Sequence, residues 1–379
     1  MRTLIVVRSL KMGGMERVAV NLADAFAATG HESHLVSFRE VKQSLAPERD
    51  DVRVHRLPLT RYARLTVVGY LFEMLARLLL NPFLERSLFL GSGLMGGVVF
   101  RWWLKRFERR YGKVDRIIFR GQGTFELVWS FRDSRARYVL ENIFHSPTAS
   151  WRRRLFARCL YHRRDLVAVS DGVARSVHQA MPLWRFSPRS MEVIPNPCPV
   201  ESIRKHMLVD EPKLPRTPYL VNVARLAPAK DHELLLQAYA ASGLELPMVV
   251  VGDGQQLNCL QQLAVSLGIE DRVVFAGSQQ NPYPWMRNAR LFVLSSRFEG
   301  MGIVLFEALA CDTPVLSVDC PGGVRQILKG ELESSIVERE VEALAAGMRQ
   351  AVQGPKPRVR EEWLEDFLPP RIVSAFLAS

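Results

Sequence analysis

Two glutamates eight residues apart, Glu299 and Glu307, stand in the stretch Leu291-Phe-Val-Leu-Ser-Ser-Arg-Phe-Glu-Gly-Met-Gly-Ile-Val-Leu-Phe-Glu-Ala-Leu-Ala310. Its apolar start reads as a buried strand ending at Ser295 and Ser296, its middle as a glycine-containing loop, and its end as an amphipathic helix beginning near Gly302. Gly300 and Gly302 let backbone N–H groups approach a ligand closely, and a helix start attracts an anion through its aligned peptide dipoles. Glu307 falls about five residues into that helix, roughly 7–8 Å along its axis. A phosphate at the helix start and a hydroxyl-bearing ring beside Glu307 fit a nucleoside diphosphate. Glu299, at the loop tip, then faces whatever the diphosphate carries.

Two cations stand on another segment with the same strand-then-loop reading. Arg225 and Lys230 follow the apolar run 219–223, at its carboxyl end, where open α/β sheets bind ligands. Paired cations suit a diphosphate. Gly13-Gly14 follows the first apolar run, where its loop can present backbone amides to a phosphate, and Arg120-Gly-Gln-Gly123 follows the run 117–119 in the same way.

These residues need a scaffold of alternating strands and helices. Residues 3–7 read as a strand, 8–15 as a loop, and 16–29 as a helix with Val18, Leu22, Ala25 and Phe26 on one face. The rhythm recurs in short Val/Ile/Leu runs at 34–38, 138–140, 166–169, 219–223, 248–251, 273–275, 291–294 and 314–318. Such runs suit strands buried on both faces of a parallel sheet. Six prolines between Pro195 and Pro218 cannot lie inside helices or central strands, so a linker between two α/β domains is expected there.

A chain of 379 residues, 48% hydrophobic and 24% charged, has the length and composition of two globular domains. The formal net charge of +12 is unevenly placed. Residues 1–195 hold 33 basic against 17 acidic residues, a difference of +16; the remaining 18 basic and 22 acidic give −4. That asymmetry marks the front half as a surface for phosphates, nucleic acid or anionic lipid. Within it, the uncharged stretch 87–100 is too short to span a bilayer and is followed by Arg101-Trp-Trp-Leu-Lys-Arg-Phe-Glu-Arg-Arg110. Tryptophans among basic residues suit a helix lying in lipid headgroups.

Several chemistries lack their motifs. The five cysteines are scattered, never spaced as CxxC, and suit a reducing compartment. Gly252-Asp-Gly254 is followed by Leu257 where a dinucleotide fingerprint needs glycine. No P-loop, hydrolase elbow or D-x-D triplet is present, and the basic half lacks a nucleic-acid reading element. No secretory signal is visible, because the apolar run at residues 4–7 is too brief.

Glu299-Gly-Met-Gly-Ile-Val-Leu-Phe-Glu307 resembles the E-x7-E signature of family 4 retaining glycosyltransferases. Further segments agree in order: Gly13-Gly14-Met15-Glu16-Arg17, Val169-Ser170, Ile194-Pro-Asn-Pro197, Val223-Ala-Arg-Leu226 with Lys230, Val251-Gly-Asp-Gly254, and Pro314-Val315. Residues 40–115 show no such likeness. The resemblance implies an α/β GT-B fold, two Rossmann-like parallel-sheet domains facing a central cleft. It divides the chain into an acceptor-side domain 1–195 with a basic, apolar helical insertion at about 64–110, a nucleotide-sugar domain 196–360, and a helical tail 361–379 packing back on the first.

By the same resemblance Arg225 and Lys230 hold the leaving diphosphate, with Gly14 and the backbone of Gly300, Met301 and Gly302 beside it. Glu307 binds the ribose, Glu299 and His145 approach the donor sugar as the catalytic pair, and Gly13, Arg120 and Gln122 line the acceptor side, where the loop at Gly13 makes room for the acceptor. No metal and no cofactor is expected, since two cations and a helix dipole would take the metal's part at the phosphates. The implied activity is retaining, metal-independent sugar transfer from a nucleotide-sugar to a membrane-associated, anionic glycolipid or oligosaccharide, with lipopolysaccharide core assembly the leading setting. The implied location is cytoplasmic, peripheral on the inner-membrane surface, with no nucleic-acid partner. A nucleotide-sugar epimerase of the same fold and a non-catalytic nucleotide-sugar-binding protein are the alternatives. Asp312 stands where relatives carry glycine before Thr313-Pro314, a turn conformation that Asp tolerates.

Overall fold

A computed structural model describes residues 1–11, 13–41, 45–59, 61–62, 70–71, 74, 88–144, 150–354 and 359–379. The chain divides into two compact units, residues 1–197 with 369–379, and residues 198–368. The first division falls inside the proline-rich stretch expected to be a linker. Much of that stretch is built into the second unit instead: the helix Val200–His206 packs against the helices Ile303–Ala310 and Tyr283–Arg287. Its apolar residues Val200 and Ile203 are buried, which is why prolines on either side bound a helix rather than a free connection.

Among the described residues the first unit holds seven parallel strands: β1 (Arg2–Val7), β2 (Glu32–Ser37), β3 (Arg53–Arg56), β4 (Arg116–Arg120), β5 (Ala136–Leu140), β6 (Asp165–Ala168) and β7 (Ser190–Val193). Their order is β3-β2-β1-β4-β5-β6-β7, so the winding reverses between β1 and β4. The central strands are buried along nearly their whole length and mostly apolar, with arginines near their ends, as helices on both faces require. The helix Gly14–Ala28 buries Val18, Leu22, Ala25 and Phe26, and the terminal helix Pro369–Ala378 packs on it.

The stretch read as lipid-facing lies in the helix Leu88–Tyr111. At Gly96 a Cβ would sit 2.0 Å from the Leu127 carbonyl oxygen, so this helix meets the segment after β4 at backbone distance. Phe100, Leu104 and Phe107 are buried beneath it, whereas Trp102 is 64% exposed among Arg101, Lys105, Arg106, Arg109 and Arg110. Among the described residues no helix is long and apolar enough to cross a membrane. The other residues of the expected insertion, 64–69, 72–73 and 75–87, lie outside the described residues.

The second unit has six parallel strands among its described residues: β8 (Leu220–Val223), β9 (Met248–Val251), β10 (Val273–Gly277), β11 (Leu291–Leu294), β12 (Val315–Val318) and β13 (Ile336–Val337). They run in the order β10-β9-β8-β11-β12-β13, reversing between β8 and β11. That reversal leaves a crevice at the carboxyl ends of β8 and β11, because their following segments leave toward opposite sides of the sheet.

Candidate functional site

Both chemical segments of the second unit issue from that crevice. Residues 224–230 follow β8 and residues 295–302 follow β11, and β8 pairs directly with β11. One polar side chain in the sheet locks the two strands. The buried Asn222 donates from Nδ2 to the Val293 carbonyl at 2.8 Å, and its Oδ1 lies 3.1 Å from His232 Nε2. Burial, followed by the nearby Lys230 charge, pushes the His232 imidazole down to about 4, so it is neutral at pH 7 and donates to Asn222 from Nε2.

The two loops are then stitched together. Ser295 Oγ donates to the Lys230 carbonyl at 3.0 Å, and the Arg297 amide donates to the Ala229 carbonyl at 2.9 Å. Asp231, 5% exposed and in the left-handed region at φ 49°, accepts from Arg297 at 3.0 Å and from Arg339 at 2.7 Å. At the centre, Lys230 Nζ lies 2.5 Å from Glu299 Oε1, which also accepts from Ser296 Oγ at 2.6 Å. Arg225, on the same loop as Lys230, is exposed.

A third loop supports Glu299 from below. Its amide donates to the Pro321 carbonyl at 3.0 Å, and a Cβ at Gly322 would lie 1.7 Å from the Glu299 carbonyl oxygen. Gly322 is at φ 133°, so both conformation and space exclude a side chain there. Gly302, at φ 83°, caps the helix Ile303–Ala310 and turns the chain so that the helix start faces the loop. Glu307 is buried in that helix with Tyr283 Oη donating to it at 3.4 Å. Met301 is 3% exposed, which leaves its backbone rather than its side chain to meet a ligand. Cys320 borders the same site, and burial, then the Glu299 charge, pushes its thiol up to about 12.

The crevice therefore presents a protonated amine, an exposed guanidinium, a helix start and two buried carboxylates within one sheet end, an arrangement suited to a ligand with both phosphates and hydroxyls. Among the described residues no three His, Cys, Asp or Glu side chains converge as metal ligands. Sequence reasoning missed Ser296, Asp231, Arg339, Tyr283 and the loop Asp319-Cys-Pro-Gly-Gly323. The glycine pair after a predicted strand was a usable signal for the last; the others become visible only through pairing across the fold.

In the first unit, the positions called from sequence are placed differently. Gly13 is the extended N-cap of the helix that begins at Gly14, and Glu16 folds back over it: a Cβ on Gly13 would lie 2.5 Å from Glu16 Oε2. Arg120, expected to line an acceptor surface, is 1% exposed; its guanidinium lies 2.5 Å from Glu141 Oε1 and donates to Asn196 Oδ1 at 2.7 Å. Its side chain is committed to joining β4, the end of β5 and the chain before residue 197, so it supports the loops instead of facing solvent. Burial pushes the Glu141 carboxyl up, opposed by Arg120. Gln122 is exposed and donates to Glu126 at 3.1 Å. His145 lies outside the described residues.

Comparison with known proteins adds independent findings. Residues 206–363 match the model of the family described as glycosyl transferases group 1. A Campylobacter jejuni enzyme named N-acetylgalactosamine-N,N'-diacetylbacillosaminyl-diphospho-undecaprenol 4-alpha-N-acetylgalactosaminyltransferase is 24% identical over 93% of this chain and 91% of its own. A lipopolysaccharide 1,6-galactosyltransferase of Salmonella typhimurium is 26% identical over 51% of this chain and 54% of its own. Among solved structures, Anabaena Alr3699/HepE in complex with UDP and glucose superposes with a TM-score of 0.70 at 17% identity, covering both chains fully. WaaG, a glycosyltransferase involved in lipopolysaccharide biosynthesis, superposes at 0.60 and 16% identity over 99% of this chain and 98% of its own. With two parallel-sheet α/β units and these neighbours, the fold is GT-B.

Proposed function

We propose, from the match of residues 206–363 to the model of the glycosyl transferases group 1 family, that the protein is a retaining, metal-independent transferase that moves a sugar from a nucleotide-sugar to a membrane-associated glycolipid or oligosaccharide. The observation that carries this reading is the meeting of Lys230, Glu299 and the start of the helix Ile303–Ala310 at the β8/β11 crevice. The donor's diphosphate takes the helix start and the charges of Arg225 and Lys230. Glu307, oriented by Tyr283, takes the ribose hydroxyls.

Sugar transfer breaks the bond between the anomeric carbon and the diphosphate oxygen, forms one from that carbon to the acceptor hydroxyl oxygen and passes the hydroxyl proton to the departing diphosphate, while positive charge grows on the sugar ring. With the diphosphate docked at the helix start, two cations and the helix dipole take up its developing charge without a metal. Glu299 has one oxygen shared by Lys230 and Ser296, and its carboxylate is held to meet donor sugar hydroxyls. Donor occupancy draws Lys230 toward phosphate, which loosens its hold on Glu299 as the sugar arrives.

The acceptor reading rests on charge. Residues 1–195 carry an excess of +16 against +12 for the whole chain, and the helix Leu88–Tyr111 exposes Trp102 among five basic residues. An anionic acceptor held in a lipid surface on the cytoplasmic side of the inner membrane suits that face. Lipopolysaccharide core assembly is the setting in keeping with relatives named for lipopolysaccharide and undecaprenyl-linked acceptors. The test is product analysis: purified protein, a panel of UDP-, GDP- and ADP-sugars and a lipopolysaccharide-core acceptor, followed by NMR of the new anomeric centre. Transfer with retained configuration supports the proposal, whereas inversion, or free sugar released without acceptor, contradicts it.

A further inference from the structure

The first unit holds an arginine-rich cavity that the transferase reading does not use. It lies at the amino ends of β5, β6 and β7, encloses about 230 Å³, and is lined by Arg132, Arg163, Arg164 and Arg189 with Ser134 and Tyr138. Two aspartates also border it, and both already have partners. Asp133 accepts two bonds from Arg135 at 2.9 and 2.7 Å, while Asp165 accepts from Arg189 Nε at 2.7 Å and Ser190 Oγ at 2.8 Å. Burial pushes each carboxyl up, but the bonds from its arginine outweigh that and hold it below the ordinary carboxylate range.

The remaining cations have no such neutralisation. Among the described residues Arg132, Arg163 and Arg164 form no ion pair with a carboxylate. Arg132 donates to the His162 carbonyl at 3.0 Å. Arg163 is exposed and in the left-handed region at φ 55°, its amide tied to the Ser187 carbonyl at 2.8 Å. Arg164 is 2% exposed and lies over the Tyr138 ring at 4.2 Å. It donates from Nη1 to the Phe131 carbonyl at 3.1 Å and from Nη2 to the Cys159 carbonyl at 3.2 Å and to the Trp129 carbonyl, while its Nε has no partner among the described residues.

A buried guanidinium without a counter-ion is costly, and burial pushes Arg164 down only to about 10, so it stays charged at pH 7. An anion in the cavity offsets that cost. Arg164 brings its charge and its one unpartnered donor, Nε, while the exposed Arg132 and Arg163 bring guanidinium N–H donors that suit phosphate oxygens. We infer that the cavity at the amino ends of β5, β6 and β7 is a second anion site, which takes a phosphate or pyrophosphate group on a floor of Arg164 and Tyr138 under a rim of Arg132, Arg163 and Arg189.

The experiment is isothermal titration of the full chain with inorganic pyrophosphate. Arg225→Ala/Lys230→Ala first removes the proposed donor clamp, so that uptake by this variant reports the first unit alone. Adding Arg132→Gln and Arg163→Gln, both exposed rim positions that leave the core intact, should weaken that uptake at least about tenfold. Arg164→Lys keeps the charge and loses the Nε donor, and should fall between the two with an unchanged circular dichroism spectrum. Co-sedimentation with phosphatidic acid vesicles, against phosphatidylcholine, separates the sources. Loss of vesicle binding in Arg132→Gln/Arg163→Gln assigns the phosphate to a lipid headgroup, and loss of pyrophosphate binding alone assigns it to a free anion. If the variant lacking the donor clamp takes up no pyrophosphate and no vesicles, or if the rim substitutions change neither, the inference is overturned; sugar transfer itself is untouched by that result.

Discussion

Lys230 Nζ stands 2.5 Å from Glu299 Oε1, and this pair joins the segment after β8 to the segment after β11. Glu299 is the more buried partner, its side chain 9% exposed against 27% for Lys230. The charge that should meet a phosphate is thus stored on the carboxylate that should meet a sugar. A ligand supplying both groups can replace one pairing with two, whereas a ligand supplying phosphate alone must pull the lysine from a buried acid.

That exchange gives Glu299→Gln a definite signature. The amide keeps an acceptor for Ser296 but releases Lys230. Affinity for a nucleoside diphosphate should hold steady or rise a few-fold, while turnover with the full nucleotide-sugar falls at least ~100-fold, the scale of losing one preorganised electrostatic contact. Calorimetry and steady-state kinetics check the two halves; turnover within a few-fold of wild type counts against the role given to Glu299.

Gly322→Ala probes the support beneath Glu299. The added methyl would meet the Glu299 carbonyl at 1.7 Å from a backbone at φ 133°, so the loops must separate. We expect a loss of several degrees in Tm together with loss of nucleotide binding. Gly243→Ala is the control: it shares a positive φ, 64°, but has open space around the new methyl, so a cost of only about 1 kcal/mol and normal binding are expected.

The places where sequence and structure part company share a physical origin. The nine strands inside the two sheets were legible because strands buried on both faces are mostly hydrophobic, and the winding order put Arg225, Lys230, Glu299 and Glu307 at one sheet end. The strands that were not legible, β3, β7 and β13, are all at sheet edges. β3, for example, is Arg53-Val-His-Arg56 with little burial, so no hydrophobic period marks it. Arg120 was misplaced for a related reason: a charged residue after a strand reads as surface, and only Glu141 and Asn196, distant in sequence, make its burial tolerable. The ties of Asp231 to Arg297 and Arg339 are equally non-local, and no spacing announces them.

Acid should loosen the same region. His232 titrates near 4 in the fold against 6.5 when free, so below pH 6.5 the unfolded chain takes up a proton that the folded chain refuses. Its contribution is complete above pH 6.5 and lost as pH falls from there toward 4, up to about 3 kcal/mol over that window. Denaturant unfolding at pH 7.5 and pH 5 should show His232→Gln less stable at neutral pH and less sensitive to acid than wild type. Parallel pH slopes for the two proteins would contradict the neutral, buried assignment.

The account turns on whether the β8/β11 crevice grips a nucleoside diphosphate through Lys230, Arg225 and Glu307. Isothermal titration of the full chain with UDP, GDP and ADP, against Arg225→Ala/Lys230→Ala and Glu307→Ala, measures it directly. The prediction is that one nucleotide binds to wild type and weakens at least about tenfold in each variant, ~1.4 kcal/mol or more. Binding of equal strength in all three proteins, with their folds intact, would contradict it.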